Sequence, residues 1–367
     1  MKPNRHRRHF ILASSALLAQ SGLARFAFAQ PAAQITVPTI DGLVVKVLTD
    51  SSYDTPRPGQ SKWVKVKRAP IVNAANFRRT LHNEWGLALA LDSRKGTETR
   101  AFMLDAGYTP EALLNNMELM GVDGGRIQSL IVSHGHYDHQ GGFIGFLQKY
   151  RSKLPEDLTL YAGGEENFCN RKTGVPGQLA DWGILDRREL ETQKVRIVYC
   201  ERSTVIQGHA FTTGTIARRS FERVLPNGFV EYSRKNGTGC NMPEADAKAG
   251  GMAVPDQHLQ EHGTCFNLKD RGLVVISSCG HAGIVNTVRQ AMEVSGVSKV
   301  HAVLGGMHLF PADDEYLRRS VTELKALDPD VVIPMHCSGP GFIAAMREIM
   351  PDRLITSTTG TEFTFGA

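Results

Sequence analysis

Thirteen histidines are spread over the 367 residues, and three of them, with one aspartate, fall in a run of six: His134-Gly135-His136-Tyr137-Asp138-His139. Imidazoles and a carboxylate this close suit a borderline metal ion such as Zn²⁺, with iron or manganese as alternates. With histidine at about one residue in 28, an HxHxDH match arises by chance on the order of once in a thousand such sequences, so coincidence is a weak account of it. The intervening residues let alternate side chains point to opposite sides of a turn. One pair then serves one ion, and Asp138 with His139 serves a second. A bound dication lowers the pKa of its water from 15.7 to about 7, so metal-activated hydrolysis is the chemistry to expect. Gly141-Gly142 follows and would free the backbone before the next helix, whose apolar positions include Phe143, Phe146 and Leu147.

The positions of the other histidines extend this. Four apolar runs end in or just before one: LIVSH at His134, VVISSCGH at His281, AVLGGMH at His308 and VVIPMH at His336; a fifth, AFMLD, ends in Asp105. In α/β architectures the loops at the carboxyl ends of strands line the ligand crevice, so such side chains converge from distant parts of the chain. A lone histidine there is usually a hydrogen-bonded structural residue, but four together shift the balance towards a site. His82, His258, His262 and His301 lack that context and read as surface or packing residues.

Strands are expected at Leu43–Leu48, Gly86–Leu91, Ala101–Leu104, Ser129–Val132, Leu158–Tyr161, Val195–Tyr199, Leu273–Ile276, Val300–Leu304, Val331–Ile333 and Leu354–Thr358. Helical patterns separate many of them. Thr109-Pro110-Glu111 reads as an N-cap with proline in the first turn of a helix running to about Met120. Apolar stripes at Leu317, Val321, Leu324 and Leu327, and at Ile284, Val285, Val288 and Met292, mark two more. The chain is α/β without repeats. Two polar segments, near 51–69 and 234–262, read as insertions in one domain spanning 30–367.

At this point the chain resembles the metallo-β-lactamase superfamily, whose hallmark is the HxHxDH loop. The likeness is sharper to the branch of 7,8-dihydropterin-6-methyl-4-(β-D-ribofuranosyl)aminobenzene-5′-phosphate synthase and its metal-dependent hydrolase relatives. It rests on Glu84-Trp85-Gly86-Leu87, Cys279-Gly280-His281-Ala282-Gly283-Ile284-Val285-Asn286, Gly305-Gly306-Met307-His308-Leu309 and His336-Cys337-Ser338-Gly339. The resemblance implies a four-layered αββα sandwich holding one or two divalent ions, Zn²⁺ first. By the same token His134 and His136 would hold one ion, and Asp138, His139 and His336 the second. His281 stands where many members place a bridging aspartate and is taken as a further ligand. Asp138 also serves as an acceptor for the attacking water, and His308 steadies or protonates the leaving group. Gly208-His209-Ala210 matches the third histidine of other branches and competes with His281. Asp105 orients a ligand imidazole.

The reading is an enzyme, a metal-dependent hydrolase of a small ester, amide, lactone or phosphoester. A synthase-type reaction on a pterin or ribosyl-aminobenzene phosphate is the alternative. So is an iron-dependent oxidoreductase, although diiron members usually carry Glu where His136 stands.

Composition narrows the partners. The chain is 41% hydrophobic and 22% charged, an ordinary globular balance. Its formal charge of +5 lies in residues 1–29, which hold Lys2, Arg5, Arg7, Arg8 and Arg25 and no acid, so the body is neutral. Such a body has no electrostatic footprint for nucleic acid, and a small-molecule substrate is expected instead. No apolar run approaches the ~20 residues of a bilayer span, so no stable membrane insertion is expected once the leader is removed. Arg7-Arg8-His9-Phe10-Ile11, the apolar stretch to Leu23 and Ala27-Phe28-Ala29 resemble a twin-arginine export signal, which places the mature protein in the periplasm or outside the cell. The six cysteines are scattered and predict no pairing.

Overall fold

The computed structural model describes residues 33–54 and 61–366, so the 1–29 leader lies outside the described residues. Period-two alternation gives each strand two apolar faces. In Ala88–Lys95, Leu89 and Leu91 join one core while Ala88 and Ala90 join another; in Glu98–Leu104, Phe102 and Leu104 divide likewise from Ala101 and Met103. In Gly272–Ser277, Val274 and Ile276 share the first core, and Leu273 and Val275 belong to a third.

These faces build two sheets packed on one another. The first runs Arg196–Tyr199, Thr159–Ala162, Ser129–Val132, Glu98–Leu104, Ala88–Lys95, Gly42–Thr49, Thr361–Gly366, Lys65–Arg68. The second runs Val205–Ile206, Ala210–Thr212, Thr264–Leu268, Gly272–Ser277, Val300–Gly306, Val331–Met335, with Thr39–Ile40 beside Thr264–Leu268. Phe102 and Phe266 meet across the interface with ring centroids 6.1 Å apart. Such an edge-on pair is worth about 0.5–1.5 kcal/mol beyond its buried area. Helices Pro110–Leu119, Phe143–Tyr150 and Arg187–Thr192 cover the outer face of the first sheet, and Ile284–Ser295, Asp314–Ala326 and Gly339–Ile349 that of the second. The order is αββα.

The helix signals read as expected. Thr109 caps its helix by accepting the Ala112 N–H, and Asp313 accepts the Tyr316 N–H at 2.8 Å. The glycine pair after the HxHxDH run works differently. Gly141 and Gly142 have ordinary negative φ, and a Cβ on either would press to 2.0 Å and 2.2 Å of the Tyr108 and Ala106 carbonyls. Close backbone approach is their reason, not conformational freedom.

Leu354–Thr358 is not a strand. Only Leu354 bridges, to Val332, and the Thr358 hydroxyl is bonded to the Asp54 N–H and the Ser52 carbonyl. The closing strand is Thr361–Gly366, with Thr361, Phe363 and Phe365 turned inward. The insertions are also built in. Lys65–Arg68 is an edge strand of the first sheet. Residues 234–262 supply helix Pro243–Ala249 and strand Val254–Pro255. That strand belongs to a four-stranded sheet with Phe229–Glu231, Asn170–Val175 and Gln178–Asp181. A disulfide, Cys169–Cys240, ties this segment down.

Candidate metal centre

Parallel pairing aligns the strand ends. Glu98–Leu104, Ser129–Val132 and Thr159–Ala162 run parallel in one sheet, and Gly272–Ser277, Val300–Gly306 and Val331–Met335 in the other. Their carboxyl ends deliver Asp105, His134, Cys279, His308 and His336. Asp105, His258, His308 and His336 hold φ of 55°, 46°, 44° and 47°. The left-handed region is costly for residues with a Cβ and is kept where surrounding structure over-determines it. Buried carboxylates do much of that work. Glu261 accepts the N–H groups of Gly280, His281 and Ala282 at 2.8, 3.1 and 2.6 Å, and Asp50 accepts that of His336 at 2.7 Å. Glu84 accepts from the backbone of Tyr108 and Thr109, fixing the loop that leaves Asp105.

Five overlapping buried donor groups result among the described residues, and two of them hold no thiol. The first is His134, His136, His258 and His281, with one ring nitrogen from each within 4.8 Å of the others. His258 stacks on His281 with ring centroids 3.7 Å apart and planes 7° from parallel. The second is Asp138, His139 and His336. His139 Nε2 lies 3.2 Å from His336 Nε2, and Asp138 Oδ2 lies 3.7 Å and 3.3 Å from the two. Metal–nitrogen bonds of about 2.0–2.1 Å in a tetrahedron set neighbouring donors roughly 3.3 Å apart, so the second group has the edge lengths of a tetrahedral site.

Hydrogen bonds aim the rings. Asp105 Oδ2 meets His139 Nδ1 at 2.7 Å, Ser133 Oγ meets His134 Nδ1 at 2.9 Å, and Ser51 Oγ meets His336 Nδ1 at 2.9 Å. Each leaves Nε2 as the free donor, the usual device for fixing a ligand tautomer. Asp256 accepts from Arg171 Nε at 2.6 Å and from the His258 N–H at 2.9 Å. Burial works hardest against its charge, but the Arg171 guanidinium, His258 and the hydrogen bonds from both together outweigh burial and hold its carboxyl below the usual range.

His134 Nε2, His136 Nε2, His258 Nδ1, both nitrogens of His281 and Asp138 Oδ1 are buried without a hydrogen-bond partner among the described residues. A buried polar atom left so costs about 1–3 kcal/mol, and six of them in one place call for a common partner. Burial first, then the neighbouring imidazoles, push His134, His136 and His281 well below their ordinary pKa, and burial takes His258 to about 3. The rings are neutral near pH 7, as metal ligands must be. The donor set fits divalent cations.

Comparison with known proteins agrees. The model of the metallo-β-lactamase superfamily matches residues 94–162, the segment holding the HxHxDH run. The chain is 25% identical, over 268 residues, to the 7,8-dihydropterin-6-methyl-4-(β-D-ribofuranosyl)-aminobenzene-5′-phosphate synthase of Methanocaldococcus jannaschii, covering 72% of this chain and 84% of that one. An uncharacterised protein of the same organism is 26% identical over 246 residues, 65% of this chain and 80% of that one. The crystal structure of a metal-dependent hydrolase of the β-lactamase superfamily superposes with TM-score 0.62 at 20% identity, covering 87% of this chain and 98% of that one. The fold is that of the metallo-β-lactamase superfamily.

Within that superfamily fold, His134, His136, Asp138, His139, His281 and His336 all reach one cleft, and Asp105 orients His139 as expected. His258 does too, although nothing in its spacing marked it. It sits in a polar insertion, two residues after Asp256, and only the fold carries it to His281. His209 does not arrive: Ser93 holds its Nδ1 at 3.0 Å and Glu98 lies 3.5 Å from its Nε2. The strand it precedes, Ala210–Thr212, lies towards the far end of the second sheet. His308 is at the cleft, 4.1 Å from the His281 ring, but Pro226 O takes its Nε2 at 3.0 Å and its Nδ1 faces Cys279 Sγ at 3.8 Å. One of its ring nitrogens lies within 4.8 Å of donor atoms of Cys279 and His281. His262 and His301 are packing residues, bound to Val132 O and Asp330.

Proposed function

We propose that this chain is an exported metal-dependent hydrolase acting on a small ester, amide, lactone or phosphoester. The observation that carries the reading is the set of partnerless imidazole nitrogens of His134, His136, His258 and His281, aimed at one buried point. These four would hold one cation, and Asp138, His139 and His336 a second, with Zn²⁺ the ion the nitrogen-rich donors suit best. Bound there, such ions supply hydroxide at neutral pH and polarise the oxygen that gains charge during attack.

The chain's own groups do the rest. Asp138 Oδ1, free of other bonds, accepts a proton from the attacking water and orients it. Asp105 and Ser51 keep the free Nε2 of His139 and His336 on the cleft. Trp85, which lies 4.9 Å from the His336 ring, and Phe310, edge-on to it at 5.6 Å, wall the mouth against bulk water.

Export rests on the twin-arginine-like leader. The Cys169–Cys240 disulfide supports it, because disulfides persist in oxidising compartments. The second reading, a synthase-type reaction on a pterin-bearing phosphate, is favoured by the likeness to the Methanocaldococcus jannaschii enzyme.

The test pairs metal content with turnover. Protein purified without added metal is analysed for Zn, Fe and Mn, then offered esters, amides, lactones, phosphoesters and a β-lactam, with and without chelator. One or two equivalents of zinc and chelator-sensitive hydrolysis of at least one class are expected. Protein that stays metal-free in excess Zn²⁺, Mn²⁺ and Fe²⁺ ends the reading. Turnover confined to a pterin phosphate favours the synthase.

A further inference from the structure

Two thiols lie among the donor groups, Cys279 beside His134, His139, His281, His308 and His336, and Cys337 beside His336. Cys279 and Cys337, 58 residues apart, are both buried, and their sulfurs are 3.0 Å apart. A disulfide bond is about 2.05 Å, so closing the pair asks for roughly 1 Å of movement. The backbone holds them there. Cys279 begins the loop clamped by Glu261, and Cys337 lies in the turn after Val331–Met335. The Cys337 carbonyl accepts the N–H groups of Leu309 and Phe310 at 3.1 and 3.2 Å, and its sulfur accepts that of His308 at 3.2 Å. Three loops meet at these two sulfurs. Cys200 and Cys265, also buried and free, serve as internal controls.

We propose that Cys279 and Cys337 are a peroxide-oxidisable pair whose disulfide staples the His281 loop to the His336 turn, two residues from His281 and adjacent to His336. One thiol takes an oxygen from hydrogen peroxide and becomes a sulfenic acid as the O–O bond breaks and water leaves. The second sulfur attacks the first, the S–S bond forms, the S–O bond breaks, and a second water carries off the remaining oxygen. Two thiols and one peroxide become one disulfide and two waters; the sulfurs lose two electrons and the peroxide gains two. Peroxide reaches the pair through the cleft, where His308 and His336 retain 6% and 8% exposure. The pairing does not depend on what the centre hydrolyses.

The test counts thiols in the denatured full chain before and after peroxide, with a non-reducing peptide map. Of the four free thiols, two are expected to disappear, with a Cys279–Cys337 crosslinked peptide recovered. Closing a loop of this length is expected to raise Tm by about 5 °C. C279S and C337S should lose both the crosslink and the shift while keeping Cys169–Cys240. Should either variant fail to fold, the peptide map of the unsubstituted chain decides. Four thiols surviving, oxidation to sulfinic acid without a crosslink, or a crosslink through Cys200 or Cys265 would each overturn the proposal.

Discussion

Replacing Asp105 with asparagine isolates the support of one donor from the rest of the fold. Asp105 is fully buried and accepts three hydrogen bonds: the Ser133 N–H at 2.8 Å, the Ser133 hydroxyl at 2.7 Å and His139 Nδ1–H at 2.7 Å. Asparagine has the same shape but one accepting oxygen. If that oxygen keeps the Ser133 N–H, the amide NH₂ opposes His139 Nδ1–H donor to donor. The ring then turns, or changes tautomer and presents a protonated Nε2 to the cleft. Losing such a partner of a ligand imidazole typically costs 10–100-fold in metal affinity, about 1.4–2.7 kcal/mol. Losing the bonds to a buried carboxylate costs about 1.5–3 kcal/mol of stability. Competition against a chromophoric chelator should show one zinc equivalent weakened by that factor and the other unchanged. Glu84→Gln is the control. It weakens a carboxylate that caps helix Pro110–Leu119 through Tyr108 and Thr109, so it should lower Tm and leave both affinities within about twofold. Zinc affinity in Asp105→Asn equal to that of the unsubstituted chain would refute the argument that Asp105 sets the His139 donor.

His258→Ala should abolish or weaken one zinc equivalent by more than tenfold in the same titration while His209→Ala changes neither, since only His258 reaches His281; equal effects would reverse that assignment. The chelator-treated protein should lose stability in mild acid. An unfolded histidine titrates near 6.5 and folded His258 near 3. Between those values the unfolded chain takes up the proton and the folded chain does not. The contribution is therefore complete above about pH 6.5 and lost as pH falls towards 3. The loss amounts to about 2 kcal/mol at pH 5, and His134, His136 and His281 shift in the same direction. Urea denaturation at pH 7.5 and 5.0 measures it, and a flat profile would contradict the buried, neutral state of these rings. His308→Ala should retain both zinc equivalents, because the ring is tied to Pro226 and Cys279; loss of one equivalent would make it a ligand.

The HxHxDH run and the strand-end histidines were legible in the residues because they are local, whereas the αββα layer order came from the resemblance to the metallo-β-lactamase superfamily. A strand's two faces follow from alternation, a helix start from its cap, and a donor at the end of an apolar run from the run. Parallel pairing then brings those ends to one rim, which is why His134, His281 and His336 were legible from residues hundreds of positions apart. Packing settled the places of His209, which had competed with His281, and of His258, which had read as a surface or packing residue. Whether each reaches the cleft depends on where its segment is carried: His209 lies towards the far end of the second sheet, and His258 is delivered by an insertion without apolar period. The same holds for Glu261, Asp256 and Arg171. Burying a charge is tolerated only where specific partners await it, and those partners, three backbone N–H groups for Glu261 and a guanidinium for Asp256, are set by packing and leave no pattern along the chain.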